Sequence, residues 1–176
     1  SKDRQWLELE KLWKKGRIGS RECLKGQIKG IRMTRSELDK YLSGVKLDPH
    51  FKKLLRFLES KKIKSIILSD NFDYILKRVL KNNGIRKMKV YSNRLKLDKN
   101  RLIPYFPSIN KDCISCAHCK NKTLFTNADG NSTKIYIGDG LSDVCPSKYA
   151  DLVFAKKDLL EHFKENRLPH VPFKGL

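Results

Sequence analysis

The 176-residue chain carries 39 Lys and Arg against 19 Asp and Glu, a formal net charge of +20, and 39% of its residues are hydrophobic. That length suits one domain, or one domain with a small cap, and the apolar content suffices for one core. No apolar run approaches the roughly 20 residues a membrane-spanning helix needs, and five cysteines, an odd count, do not make a disulfide framework.

In chain order, residues 6–13 place Trp6, Leu9 and Trp13 on one helical face. Ser20 is positioned to cap a second helix that buries Leu24, Ile28 and Ile31. Thr34 and Glu37 have capping-box spacing and open a third. Gly44 and Asp48-Pro49 close this group and start a fourth helix, with Pro in its first turn and Phe51, Leu54, Leu55 and Leu58 on its buried face. Residues 63–68, IKSIIL, are short, apolar and β-branched, as in a strand covered on both faces. Ser69-Asp70-Asn71 then leads into a helix carrying Ile75, Leu76, Val79 and Leu80, which Gly84 stops. Residues 88–106 read as a hairpin around Asp98-Lys99-Asn100. A helix over 120–126, strands at 134–137 and 152–154, and a helix from Asp158 complete the chain. Alternating strands and helices predict an α/β fold with a parallel sheet, in which ligands bind beyond the carboxyl ends of the strands.

Three segments carry chemistry. In residues 135–143, IYIGDGLSD, an apolar strand delivers Asp139 between two glycines, and Asp143 follows four residues on. Two carboxylates so placed can hold a hard cation such as Mg²⁺; a plain Asp-Gly turn is the bland alternative. In residues 68–73, LSDNFD, a hydroxyl at a strand end before a helix can bind a phosphate oxygen, or simply cap the helix. Lys120 lies between those segments and can neutralise phosphoryl charge, though one lysine among so many proves little alone.

In this order the segments resemble the haloacid dehalogenase superfamily, in its phosphoserine-phosphatase-like branch, near the phosphatases grouped with the methionine-salvage enol-phosphate phosphatase. The resemblance rests on residues 20–24 (SRECL), 67–75 (ILSDNFDYI), 91–95 (YSNRL), the Cys-rich stretch ending at Lys120, 138–156 (GDGLSDVCPSKYADLVFAK) and 166–173 (NRLPHVPF). It implies a Rossmann-like parallel sheet with a small helical cap, the cap at 1–47 and the α/β core at 48–176. It implies a hydrolase of small phosphorylated substrates that is Mg²⁺-dependent and works through an aspartyl-phosphate. Ser69, with Asp70 and Asn71, would bind the phosphoryl group. Lys120 would stabilise its charge, with Lys122 the alternative. Asp139 would ligate Mg²⁺, and Asp143 would complete the metal shell or orient the lysine. Asn71 stands where relatives often have Gly, a mild departure, since Asn tolerates left-handed backbone.

The larger departure is the family's first motif, D-x-D-x-[TV], whose first Asp is the nucleophile: no D-x-D occurs in these residues. A central strand bearing it is expected upstream of this sequence, and a catalytically inactive pseudophosphatase is the alternative.

Two further readings concern composition. Cys113-x-x-Cys116-x-x-Cys119, with His118 inside it, has the spacing of a structural zinc site; reduced, inert thiols in a cytoplasmic protein, or redox or cluster chemistry, account for it as well. Residues 1–122 hold 32 of the basic and 12 of the acidic side chains, with Arg17, Arg21, Lys25, Lys29 and Arg32 at near-helical spacing. Such a field attracts anions. A basic nucleic-acid-binding module is therefore the rival class, but no recognition motif for nucleic acid accompanies the charge, and neither nucleic acid nor membrane is expected as a partner.

Overall fold

A computed structural model describes residues 4–110, 113 and 116–175. The chain divides into two compact units, Ser1–His118 and Cys119–Leu176, and each is of α/β type. Among the described residues, no helix is long and apolar enough to cross a membrane.

The first unit opens with four helices, α1 (Gln5–Lys14), α2 (Ser20–Lys29), α3 (Arg35–Ser43) and α4 (Phe51–Ser60). Strand β1 (Ile66–Phe72), helix α5 (Asp73–Asn82) and the strands β2 (Lys89–Asp98) and β3 (Arg101–Tyr105) follow. β1 pairs in parallel with β2, and β2 antiparallel with β3, giving the order β1-β2-β3. The hairpin turns at Lys99 and Asn100, both at positive φ (44° and 63°), as a tight two-residue connection between twisted strands requires. The core gathers Ile28, Leu38, Leu42, Phe72, Val79, Leu95 and Leu102 from α2, α3, β1, α5, β2 and β3. α3 begins with the expected capping box: the Glu37 N–H donates to Thr34 Oγ1 (3.2 Å) and the Thr34 N–H to Glu37 Oε2 (2.7 Å). Its middle is tied to α5, where Tyr74 and Arg78 both donate to Asp39, at 2.6 and 2.8 Å.

Several expectations are corrected. Ser20 is the first helical residue of α2 rather than its cap; Gly19 takes the cap position, and no side chain bonds there. Pro49 precedes α4 instead of occupying its first turn, because Asp48 makes the lead-in turn by accepting from the His50 N–H (2.9 Å). No residue of α4 is fully buried; Phe51, Leu54, Leu55 and Leu58 are half-buried, since α4 contributes nothing to the shared core. α2 covers only residues 20–29, so Arg17 and Arg32 lie outside the helix that was to align the basic stripe.

The strand expected at 63–68 starts at Ile66. The backbone N–H groups of Lys62 and Ile63 are spent closing α4, donating to Glu59 O and Leu58 O with Lys62 at φ 55°; this is a left-handed helix closure without glycine. Gly84, at φ 77°, closes α5 through the same pair of bonds. At its far end β1 runs on through Ser69, Asp70 and Asn71, which belong to the strand and not to a turn after it. Ser69 pairs with Ser92 and Phe72 with Asn93, so residues 70 and 71 form a bulge.

The second unit holds α6 (Lys120–Asn127), β4 (Ile135–Gly138), one 3₁₀ turn (Leu141–Asp143), α7 (Val144–Ser147), β5 (Leu152–Ala155), α8 (Lys157–Glu165) and β6 (Val171–Pro172). Its sheet is parallel throughout, in the order β4-β5-β6, and Leu159 and Phe163 of α8 are buried with Val153 and Ala155 of β5. β4 has one covered and one open face. Tyr136 is 7% exposed, whereas Ile135 and Ile137 are 48% and 41% exposed, an alternation of one covered and one open face.

Leu38 (4% exposed) and Tyr41 (71%) sit three residues apart on α3 and separate core from surface. Leu38→Ala is expected to cost about 2–5 kcal/mol and Tyr41→Ala no more than about 0.5 kcal/mol, read by urea denaturation. Equal effects would mean that the cluster is not the core of this unit.

Candidate active site

Strand β4 ends at Gly138, and the chain turns through Asp139 and Gly140 into the 3₁₀ turn that carries Asp143. Asp143 is buried at 8% exposure, with both carboxylate oxygens used. Oδ1 accepts from Lys120 Nζ (2.7 Å) and the Tyr136 hydroxyl (2.8 Å). Oδ2 accepts from the backbone N–H groups of Asp139 (3.1 Å) and Gly140 (3.0 Å). Gly138 makes room for this carboxylate: a Cβ there would lie 2.9 Å from Asp143 Cβ, Cγ and Oδ2. The turn is therefore built around Asp143.

Lys120 is the first residue of α6 and only 6% exposed. A cation there opposes the positive end of the helix dipole, and burial adds a desolvation cost. Asp143 offsets both, and Ser142 Oγ accepts a second bond from Nζ at 2.9 Å. For Asp143, burial pushes the pKa up. The Lys120 charge and hydrogen bond, with the Gly140 N–H and the Tyr136 hydroxyl, outweigh that and hold it below the usual carboxylate range. Lys122 is exposed. Asp139 is half-buried, and its Oδ2 accepts from Lys157 Nζ (2.9 Å) in a largely exposed pair. That bond is the main cause raising the Lys157 pKa.

In the first unit, Ser69 Oγ accepts from the Asn71 N–H (3.1 Å), and Asn71 Oδ1 accepts from the Phe72 N–H (2.7 Å). The bulge is braced from behind. Asn93, fully buried, donates from Nδ2 to Asp70 O (2.7 Å), and the His118 N–H donates to Asp70 Oδ1 (3.1 Å). Asp73 Oδ1 takes the N–H groups of Tyr74 and Leu95, joining the start of α5 to β2. The structure thus draws Lys120, Ser142, Asp143 and the Asp139 backbone together in one unit, and Ser69, Asp70 and Asn71 in the other.

Tyr136, Ser142, Asn93 and Lys157 were not singled out from the sequence. Tyr136 has a readable signal, because an inward tyrosine in an alternating strand needs a partner for its hydroxyl. Asn93 shows only as the polar residue of YSNRL on a strand whose neighbours alternate.

Among the described residues, no group of three or more His, Cys, Asp or Glu converges to hold a metal ion. The zinc reading of Cys113, Cys116 and Cys119 is therefore not supported; Cys113 and Cys116 meet as a pair instead, with Sγ atoms 3.7 Å apart.

Residues 23–169 match the family described as "Putative Phosphatase", and the chain belongs to that family. It is 27% identical over 175 residues to a 2-hydroxy-3-keto-5-methylthiopentenyl-1-phosphate phosphatase of Bacillus velezensis, covering 97% of this chain and 74% of that protein. It is 27% identical over 126 residues to the protein of the same name from Bacillus cereus, covering 70% of this chain and 57% of that one. Its fold is similar to that of a substrate-bound phosphoserine phosphatase, with a TM-score of 0.74 at 16% identity, over 97% of this chain and 80% of the other. The α/β architecture and the family expected from the sequence both stand.

Asp143 yields a pH prediction. With its folded pKa below the unfolded value, its contribution is fully present above the unfolded pKa and is lost as pH falls through the folded one. Asp143→Asn should lower stability by about 3–5 kcal/mol at neutral pH by stranding Lys120, and should flatten the acid limb of stability against pH. Lys120→Met combined with Asp143→Leu should cost less than either single change. Wild-type stability in Asp143→Asn would show that the pair does not hold this turn.

Proposed function

We propose that this chain is the body of a Mg²⁺-dependent phosphomonoester hydrolase, acting on a small phosphorylated metabolite through an aspartyl-phosphate intermediate. The observation that carries the reading is the buried Lys120, held at a helix start by Asp143 beside the Asp139 turn. A protonated lysine has three donors. Asp143 and Ser142 take two of them, which leaves the third to bind a phosphoryl oxygen. In its own unit, Ser69 Oγ accepts from the Asn71 N–H, which leaves its hydroxyl hydrogen to donate to a phosphoryl oxygen. Asp70 and Asn71 shape that cradle.

The hard oxygen of Asp139 suits Mg²⁺. Asp143 already has a protein donor set on both oxygens, which supports the orienting role over direct ligation. When bound, the cation would offset the charge of the phosphoryl oxygens. The attacking carboxylate is assigned to a D-x-D segment outside these 176 residues. Residues 1–47 would serve as the cap that selects the substrate. The substrate named for the Bacillus relatives is the first member of the class to assay.

The test compares two proteins. A version carrying a D-x-D segment should hydrolyse an aryl phosphate with Mg²⁺, should lose activity in EDTA, and should lose about 10²–10³-fold in kcat on Lys120→Ala, the scale expected for one charge-stabilising donor. The 176-residue chain alone should show no turnover. Robust Mg²⁺-dependent turnover by this chain alone, or full activity in Lys120→Ala, would overturn the reading. An inactive but folded extended version would mark a pseudophosphatase.

A further inference from the structure

The cysteines fall into distinct environments. Cys23 is buried in α2, where burial, and secondarily Glu10, push its thiol pKa up. Cys119 is buried in the second unit, and Cys145 is exposed, with its sulfur accepting from Asn121 Nδ2 at 3.0 Å. Cys113 and Cys116 differ from all of these: both are half-buried, so solvent reaches them, and their sulfurs lie in contact at 3.7 Å. A two-residue spacing, a shared contact and partial exposure are the conditions under which two thiols exchange with a small disulfide.

We propose that Cys113 and Cys116 are a reversible modification site, oxidised to an intramolecular disulfide by a low-molecular-weight disulfide such as glutathione disulfide. In the first step one cysteine, as thiolate, attacks a sulfur of glutathione disulfide. That S–S bond breaks, and one glutathione leaves as thiolate and takes up a proton. In the second step the other cysteine loses its proton and attacks the mixed disulfide, releasing the second glutathione. The protein gives up two electrons and two protons, and glutathione disulfide becomes two glutathiones. Because the closed loop is short, the bond stabilises the fold little and remains open to reduction.

The position gives the site a consequence. Two residues beyond Cys116, the His118 N–H holds Asp70 Oδ1 at 3.1 Å, next to Ser69. Closing the disulfide restricts the segment that delivers that bond. This consequence rests on the phosphate-binding reading of Ser69; the disulfide itself does not.

The experiment equilibrates the full chain in glutathione buffers from fully reduced to fully oxidised, quenches in acid, and maps thiols by alkylation and peptide mass. The expected result is a fall of about 2 Da, for two hydrogens lost, confined to the peptide holding Cys113 and Cys116. It should be kept in Cys119→Ser and Cys145→Ser, lost in Cys113→Ser and Cys116→Ser, and reversed by reduced glutathione. Both thiols remaining reduced in the most oxidising buffer would overturn the proposal. So would a disulfide that recruits Cys119 or Cys145, or tightly held stoichiometric zinc that blocks oxidation. None of these readouts needs phosphatase activity, so a failure here is distinct from failure of the proposed function.

Discussion

The ion pair between Lys120 and Asp143 is the constraint around which the second unit is arranged. Both partners are nearly excluded from solvent, and two ions in that setting each incur a desolvation cost of several kcal/mol, which their attraction offsets only when further hydrogen bonds satisfy the carboxylate. Asp143 meets that condition with four donors, from a side-chain ammonium, a phenol and two backbone N–H groups. The requirement reaches outward. Gly138 must lack a side chain for the carboxylate to fit, β4 must place Tyr136 on its covered face, and α6 must begin where its first residue reaches Asp143. One buried carboxylate thereby links a strand, a turn and a helix start.

In the first unit a buried amide takes the comparable part. Asn93 sits in the middle of β2 with no solvent exposure, and its Nδ2 is committed to the carbonyl of Asp70. A bulge frees backbone groups from the ladder, and such groups need partners when removed from water. Asn93 supplies one across the sheet, the His118 N–H answers the Asp70 side chain, and Asp73 binds the next turn to Leu95. The strand end bearing Ser69 is held by polar contacts rather than by apolar packing alone.

The large positive charge belongs to neither arrangement. Lys120 is a buried polar residue of the core, whereas many other lysines, among them Lys122 and Lys25, are exposed. Exposed charge steers anions at long range and is screened by salt. A lysine with fixed partners in a low-dielectric setting acts at contact distance. Counting basic residues cannot separate the two roles, and burial does.

What the sequence by itself determined is whatever depends on neighbours a few residues apart. The Thr34–Glu37 box, the Asp98-Lys99-Asn100 hairpin, the Gly84 closure and the apolar strand leading to Asp139 are each local, and each was legible. The closure of α4 at Lys62 was not, because a lysine at positive φ carries no compositional signal and displaced the start of β1 by three residues. The pairing of Lys120 with Asp143 was implied by resemblance and order, not by spacing, since 23 residues separate them. Tertiary structure alone decided that Asp143 is a saturated internal partner, that Tyr136 and Asn93 complete the two arrangements, and that Cys113 and Cys116 touch. The physical reason is common to these cases: burial and hydrogen-bond saturation are properties of chains brought together in space, and residue types at fixed intervals do not encode them.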